Sequence, residues 1–314
     1  MTKLVLFRAL SAVPLLFVAS ILIFLLVFLV PGNPVTAILG DSATPEAIAQ
    51  AEHRLGLDRP MLTQYTSWVG GMVSGDMGTS MKDGTSVAEI IRDRFPVTFA
   101  LAMFSMLCSL AIGLPLGIIA SLRPGSVVDR SLTILTSLGL AIPSFWLALL
   151  LLLLLSVKLG WLPIASYSPF AVSPHDWFIS LIMPSLAIGL TAGAVIARQT
   201  RSAMLEAFEA PYMQTVRALG LRRRTAVLRY ALKNAMVPIL TVIGFQMGHA
   251  LGGSIIMEWV FAIPGIGAQL ISAVMDKDFP VVRAITMMTA LVMVVVFLLV
   301  DISYGIIDPR ARPQ

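Results

Sequence analysis

The side chains that most often carry out catalysis or bind metals are few and scattered in this sequence. Its single cysteine, Cys108, lies in an apolar stretch, and three histidines, His53, His175 and His249, are far apart along the chain. One cysteine cannot form an intramolecular disulfide or a cysteine-based metal cluster. The His-Glu-x-x-His pattern of metalloproteases is absent, and no lysine follows a glycine as a phosphate-binding P-loop requires. We therefore expect no catalytic residue, no metal and no cofactor in this chain.

A different kind of chemistry, the docking of a helix, is indicated by residues 211–220. Pro211 suits the first turn of a helix, and Gly220 suits the left-handed residue that ends one. The apolar residues between them fall on one face: Tyr212, Met213, Val216 and Leu219. A helix this short is marginal by itself, so this face must dock. Three surfaces are open to it: the protein's own helices, a lipid surface, or a partner that also meets the neighbouring cluster Arg222-Arg223-Arg224.

The composition indicates what surrounds these segments. Of the 314 residues, 57% are hydrophobic and 12% are charged, whereas soluble domains have about 45–50% apolar and about 25% charged residues. This apolar excess is more than a water-exposed fold needs to bury, which argues against an ordinary soluble enzyme. The net charge of +5 could suggest nucleic-acid binding, but no basic run is interleaved with aromatic residues. The sequence therefore predicts a protein of the lipid bilayer that binds no nucleic acid.

Six segments are long and apolar enough to cross a membrane, which takes about 20 apolar residues. They are residues 9–30, 96–121, 131–157, 178–199, 235–257 and 283–307. The first begins like a signal peptide, but its length and the lack of a small-x-small cleavage site before Pro31-Gly32-Asn33-Pro34 favour an uncleaved span. The predicted fold class is an all-α membrane protein with six transmembrane helices.

The basic residues predict the orientation of these spans. With the N-terminus in the cytoplasm, inner segments hold 14 of the 22 lysines and arginines, as the positive-inside rule requires. Eight of the 14 lie between Arg198 and Lys233, around the predicted short helix. We expect a multi-pass protein of the cytoplasmic (inner) membrane with both termini in the cytoplasm.

The spans and long loops divide the chain into four parts. They are a tail with the first span at 1–30, an extracytoplasmic loop domain at 31–95, a core at 96–307 with a cytoplasmic loop at 200–234, and a cytoplasmic tail at 308–314. The loop at 31–95 is too long for a simple connection, so we expect a small folded cap. Within it, Thr44 as N-cap and Pro45 at the first helical position predict a helix over Pro45–Leu55.

Polar residues inside the predicted spans are functional candidates because burying them unpaired is costly. In the fifth span three polar or small residues share one helical face: Gln246, His249 and Gly253. Gln246 either bonds a neighbouring helix or borders a pathway, and a lone histidine is more often a satisfied core group than a ligand. We expect this face to border a substrate pathway. Three other spans contain prolines that can kink a helix, namely Pro115, Pro143 and Pro184.

Short motifs follow one another along the whole chain. Around the predicted short helix stand Tyr212-x-x-Thr215-Val216-Arg217-Ala218-x-Gly220-Leu221 and Leu228-Arg229-Tyr230-Ala231-Leu232-Lys233-Asn234-Ala235-x-x-Pro238. Others include Gly75 to Ser80, Pro96-Val97-Thr98, Ile112-Gly113-Leu114-Pro115-Leu116-Gly117, Pro264-Gly265-Ile266-Gly267 and Asp278-x-Pro280-Val281-Val282. Their order and spacing resemble the dipeptide/oligopeptide class of ABC-importer permeases.

This resemblance implies a type I ABC importer permease fold and a multi-subunit assembly. The chain would pair with a second homologous permease subunit, dock on two ABC ATPase subunits that bind ATP and Mg, and receive peptide from an extracytoplasmic substrate-binding protein. In that family the loop around Gly220 is a coupling helix seated in a groove of the ATPase. The residues assigned to it here are Tyr212, Gln214, Thr215, Val216, Arg217, Ala218, Leu219, Gly220 and Leu221. The general signature of that loop begins Glu-Ala-Ala, so Gln214 excludes an ionic contact from an acid at that position.

The last outer loop is a candidate outer gate or contact for the binding protein. The residues in question are Glu258, Phe261, Pro264, Gly265 and Asp278. Within the same class the substrate stays open, since relatives carry dipeptides, oligopeptides, glutathione or nickel. A stand-alone secondary transporter or channel is the alternative from another class, although no internal inverted repeat is visible. A membrane enzyme is disfavoured because no acid or histidine pair clusters within the spans.

Overall fold

The computed structural model describes residues 2–29, 35, 44–164 and 167–307. This part of the chain is helical, apart from one isolated antiparallel bridge between Thr79 and Ser86. Its helices are α1 (Thr2–Leu29), α2 (Pro45–Leu55), α3 (Met61–Ser74), α4 (Val87–Leu122), α5 (Val127–Ala141), α6 (Ser144–Lys158), α7 (Pro174–Glu209), α8 (Pro211–Ala218), α9 (Arg223–Val260), α10 (Ile266–Met275) and α11 (Phe279–Ile307). The predicted all-α class is confirmed, whereas the predicted tail at 308–314 lies outside the described residues.

Four helices of the described chain, α4, α7, α9 and α11, are long and apolar enough to span a membrane. A fifth span results if α5 and α6 are counted together, although they are bent by 100° at the break before Pro143. The residue before a proline is disfavoured in the helical region, and Ile142 is accordingly extended. Pro184, by contrast, lies inside a continuous α7. The apolar stretch Leu10–Leu26 of α1 is shorter, so the count of six spans stays a prediction.

The chain divides into two compact units. We call residues 99–263, together with the segments at the two chain ends, the core unit, and residues 7–98 and 264–295 the cap unit. The cap unit thus contains more than the loop predicted at 31–95, because it also includes α10 and the beginning of α11.

In the core unit, α4 and α7 approach each other closely through small residues. A Cβ atom added to Gly117 would lie 2.5 Å from the carbonyl oxygen of Ala197, and one on Gly113 would lie 2.7 Å from that of Gly193. Glycines four residues apart allow the backbones of membrane helices to pack directly on each other. This contact gives a physical reason for the Gly113-x-x-x-Gly117 spacing in the sequence.

The cap unit contains the loop helices α2 and α3 and the segments that carry the motifs at 75–80 and 278–282. One buried hydrophobic cluster in it consists of Val87, Ile266, Ala273, Val281, Ala284 and Ile285. Thr44 caps α2 by accepting a hydrogen bond from the amide of Ala47 at 3.3 Å, which confirms the predicted start of that helix. Thr98 plays the same part for α10, since its hydroxyl accepts from the amide of Ile266 at 2.8 Å.

Candidate functional site

The short helix predicted at residues 211–220 is present as α8, and both of its ends are formed as expected. Pro211 occupies the first turn after the extended residue Ala210. Gly220 has a φ of +68°, the left-handed conformation that glycine adopts without a steric cost, and its amide donates to the carbonyl of Arg217 at 3.0 Å. Local sequence signals therefore define this helix.

The inner face of α8 packs against its own unit. Met213 and Val216 are 2% and 5% exposed. They join a cluster that also contains Ala203, Met204 and Ala207 of α7 and Ala226, Val227 and Ala231 of α9. Tyr212 is half-buried at the edge of this cluster, and burial raises the pKa of its hydroxyl. Met213 and Val216 therefore pack against the protein's own helices, rather than against lipid or a partner.

The outer face of α8 is free of such packing. Leu219 is 69% exposed, so the prediction that it shares the buried face is wrong. The helix ends at Ala218, and the turn toward Gly220 carries the Leu219 side chain away from the cluster. The other exposed residues of the predicted coupling segment are Gln214, Thr215, Arg217, Ala218, Gly220 and Leu221. The inner face of α8 is therefore apolar and packed against α7 and α9, whereas its outer face carries both polar and apolar residues and is exposed.

The chain that follows α8 fixes its position from the other side. Arg223 donates a hydrogen bond from Nη2 to the carbonyl of Leu122, the last residue of α4, at 2.8 Å. Residues Ala226–Ala231 of α9 form a π-helical turn, a feature that often occurs at functional sites. A cavity of about 720 Å³ lies beside α8, lined by Phe208, Gln214 and Arg217 among others.

The polar stripe predicted on the fifth span lies on the open side of α9. His249 is exposed, Gln246 and Gly253 are half-buried, and Phe245 and Gly252 beside them are exposed. The space around Gly252 is empty to at least 4 Å, and the nearest atom to a Cβ on Gly253 would be Nδ1 of His249 at 3.9 Å. Phe245 packs edge-to-face on Phe297 of α11, with ring centroids 5.4 Å apart. The face is open at His249 and Gly252, and Gln246 has no side-chain hydrogen bond within the described residues.

The candidate residues of the last outer loop are mostly buried. Glu258, Phe261 and Gly265 are buried, and Pro264 is exposed. Neighbouring Ala262 has a positive φ of 51°, which marks a tight turn directly after α9. Buried side chains suit a seal better than a contact surface, so this loop offers Pro264 but not Glu258 or Phe261 to a partner.

Asp278 is 3% exposed and is occupied within the cap unit. Its carboxylate accepts from the hydroxyl of Ser80 at 2.5 Å and from the amide of Met81 at 3.0 Å. Nearby, Lys82 donates to Asp276 at 2.7 Å, and this exposed hydrogen bond raises the pKa of Lys82 above its ordinary value. Asp278 therefore links the motif at 75–80 to the motif at 278–282 by hydrogen bonds.

Sequence reasoning missed an ion pair beside the predicted cytoplasmic loop. Arg201 donates from Nε to Oδ1 of Asp129 at 2.5 Å and from Nη2 to Oδ2 at 2.8 Å. The Asp129 side chain is 4% exposed and also accepts from the amide of Gly125 at 2.9 Å. The available signal was Asp129 in the first turn of α5, one of four acids in predicted inner segments that hold 14 basic residues, but nothing in the sequence identified its partner.

Comparison with known proteins gives the family. Residues 113–313 match the family described as "Binding-protein-dependent transport system inner membrane component", and residues 1–102 match the N-terminal family of the same membrane components. A peptide transport system permease protein of Brucella abortus is 38% identical over 312 residues, covering 99% of both chains. The di/tripeptide transport system permease protein of Pseudomonas aeruginosa is 37% identical, covering 96% of both. The oligopeptide transport system permease protein of Bacillus subtilis is 35% identical, covering 96% of this chain and 97% of its own.

A solved structure shares the fold. The MetNI methionine ABC transporter in an inward-facing conformation matches 71% of this chain and 97% of its own chain, with a TM-score of 0.51 and 19% sequence identity. At that identity the likeness concerns the helical fold alone. The family matches over nearly the whole length and the relatives at 35–38% identity establish that this chain belongs to the inner membrane components of binding-protein-dependent transport systems, as a peptide permease of the dipeptide/oligopeptide class.

Proposed function

We propose that the chain moves di- and oligopeptides across the cytoplasmic membrane and is driven through α8 by ATPase subunits in the cytoplasm. The observation that carries this proposal is the division of α8 into two faces. Met213 and Val216 tie the helix to α7 and α9, while Leu219 and the exposed residues around it stand clear of the protein. A force applied to the outer face is thereby transmitted to two long apolar helices.

The assembly contains a second homologous permease subunit, two ABC ATPases and an extracytoplasmic binding protein. ATP and Mg bind in the ATPases, and this chain contributes no catalytic group. Both termini lie in the cytoplasm, which places α8 and its arginines on the side where the ATPases are found. A ligand can shift an equilibrium only by binding its two states unequally, so the ATPases must hold α8 differently in their open and closed forms.

The open face of α9 is the proposed pathway lining. Polar side chains facing lipid are costly in a membrane helix. His249 is exposed on this face and Gln246 is half-buried, so the face is best placed against water or against the second permease subunit. Gly253, one turn further, leaves room for substrate. A nickel or glutathione permease of the same class would use the same face, whereas a stand-alone secondary transporter or channel would need no docking helix.

Reconstitution tests the proposal directly. The chain is co-expressed with the second permease subunit and the two ATPases, and the complex is placed in proteoliposomes. Binding protein and labelled di- and tetrapeptides are then added. ATP-dependent uptake of peptide that is lost without the ATPases supports the proposal. Uptake by this chain alone would refute the coupling, and ATP-dependent uptake of labelled glutathione or nickel without uptake of the labelled peptides would refute the peptide assignment.

A further inference from the structure

A second cavity in the core unit shares Leu122, Arg223 and Val227 with the one beside α8, but no residue of α8 lines it. It has a volume of about 580 Å³ and lies between the end of α4, the start of α5 and the start of α9. Its apolar wall includes Ile118, Ile119, Val128 and Leu228. Several of these apolar side chains are half-exposed or more, Ile119 at 47% and Val128 at 53%. The cavity is thus an open apolar groove of a size that suits a small molecule.

Three arginines line this cavity, and no acidic residue does. They are Arg123, Arg223 and Arg224. Arg223 is held in place by its hydrogen bond to the Leu122 carbonyl, and the nearest acid along the chain, Asp129, is already engaged by Arg201 and Gly125. Three guanidinium groups without an acid among them repel one another and favour an anion, and a phosphate oxygen pair matches the guanidinium fork.

The position of the cavity along the membrane normal selects the kind of anion. Ile118 and Ile119 belong to the predicted span 96–121, while Arg123 lies just beyond its end. Ile118 and Ile119 are therefore at acyl-chain depth, whereas the arginines are at headgroup depth, together with Val128 and Leu228, which lie outside the predicted spans. A soluble phosphate would use the arginines but not the wall, whereas a phospholipid uses both. Basic pockets between membrane helices are known to take anionic headgroups.

We propose that this cavity is a binding site for one anionic phospholipid, with the phosphate held by Arg123, Arg223 and Arg224 and an acyl chain along Ile118 and Ile119. The inference does not depend on which cargo the transporter carries. Arg223 donates a hydrogen bond to the end of α4 and is the first residue of α9. A lipid bound here therefore contacts the end of α4 and the start of α9, next to α8.

Lipid retention measured by native mass spectrometry tests this site. The full-length chain, with the subunits that co-purify with it, is equilibrated with vesicles of phosphatidylglycerol and phosphatidylcholine and then transferred to detergent. We expect one phosphatidylglycerol to be retained by the wild type, and about 30-fold weaker retention by the double variant R123Q/R224Q, as about tenfold per 1.4 kcal/mol and about 1 kcal/mol per basic residue imply. Arg223 is left intact because it also caps α4.

Two further variants keep the test decisive. R130Q/R229Q removes the same charge from exposed arginines that do not line the cavity, and it should retain phosphatidylglycerol like the wild type. V128W fills the apolar wall without changing charge, and it should lose the lipid. Equal retention by the wild type and R123Q/R224Q, equal retention of phosphatidylcholine, or displacement of the lipid by glycerol phosphate would each overturn the proposal. Loss of the ATPases in R123Q/R224Q with lipid retention unchanged would instead assign the arginines to the ATPase.

Discussion

Asp129 and Arg201, 72 residues apart in the sequence, form a two-point ion pair that joins the first turn of α5 to α7. The aspartate is almost fully buried and the arginine about one-third exposed. Eight residues further along, α7 ends at Glu209 and α8 begins after it. The pair therefore anchors the end of α7 that leads into α8.

Replacing Arg201 with alanine should destabilise the core unit. Removing one partner of a buried pair leaves an uncompensated charge, which costs roughly 3–5 kcal/mol, and partial exposure of Arg201 lowers this to about 2–3 kcal/mol. The melting temperature of the purified protein in detergent should fall by several degrees. The matched control is R198A, an exposed arginine on the same helix, and the double variant D129N/R201Q should recover part of the loss. An unchanged melting temperature in R201A would contradict this account.

The contact between α4 and α7 predicts strong sensitivity to small substitutions. Gly117→Ala places a methyl group 2.5 Å from the Ala197 carbonyl oxygen and 2.5 Å from Cβ of Thr200, so the helices must separate. Overpacking of this kind costs about 1–3 kcal/mol. We expect a lower yield of folded protein and a lower melting temperature. Gly70→Ala is the control because nothing lies within 4 Å of its added Cβ; similar behaviour of the two variants would show that the helices do not meet as described.

How far the sequence predicts the structure depends on the range of the interaction. Thr44, Pro143 and Gly220 act on backbone within a few residues, and each produced the local structure expected. The pairing of Ser80 with Asp278 and of Thr98 with Ile266 joins segments far apart in the chain. Hydrophobic periodicity indicates which face is buried but not its partner, so these pairs could not be predicted from one sequence.

The prediction for α8 was likewise correct only in part, although this helix is just eight residues long. The apolar face of α8 was predicted from spacing, and Met213 and Val216 are buried as it requires. Leu219 is not, because the helix ends before it and helical spacing no longer applies. Asp278 was predicted to contact a gate or partner because its two hydrogen-bond partners, Ser80 and Met81, lie 198 and 197 residues away in the sequence.

Asp278→Ala should loosen the cap unit around residues 75–86. It removes the acceptor of the Ser80 hydroxyl proton and of the Met81 amide, and the loss of a buried partner costs about 1–3 kcal/mol for each group. The Ser80 oxygen still accepts from the amides of Lys82 and Asp83. Hydrogen exchange of the amides in this segment should become faster. Asp276→Ala is the comparison, since it removes an exposed pair with Lys82 and such pairs contribute little. Equal exchange in both variants would mean that Asp278 does not link the motifs.

Leu219→Asp should separate docking from folding. Leu219 is exposed and makes no part of the buried cluster, so the variant should melt like the wild type but lose most of its ATPase subunits on co-purification. Met213→Ala should do the reverse, with a melting temperature lowered by a cavity that costs about 2–5 kcal/mol. Retention of the ATPases by Leu219→Asp would place the docking surface elsewhere on the loop.

Gln246→Leu and His249→Leu test the open face of α9. If this face borders a water-filled pathway, leucine there removes polar contacts to the peptide backbone, and uptake should fall about tenfold for a loss of about 1.4 kcal/mol in binding. Assembly and ATPase co-purification should be unchanged, because His249 is exposed and Gln246 makes no side-chain hydrogen bond within the described residues. Thr241→Val on the same helix, also exposed and about one turn before Gln246, provides the control for a change in polarity outside the stripe. If all three variants transport peptide at the wild-type rate, the pathway does not run along this face, and the stripe instead packs against the second permease subunit.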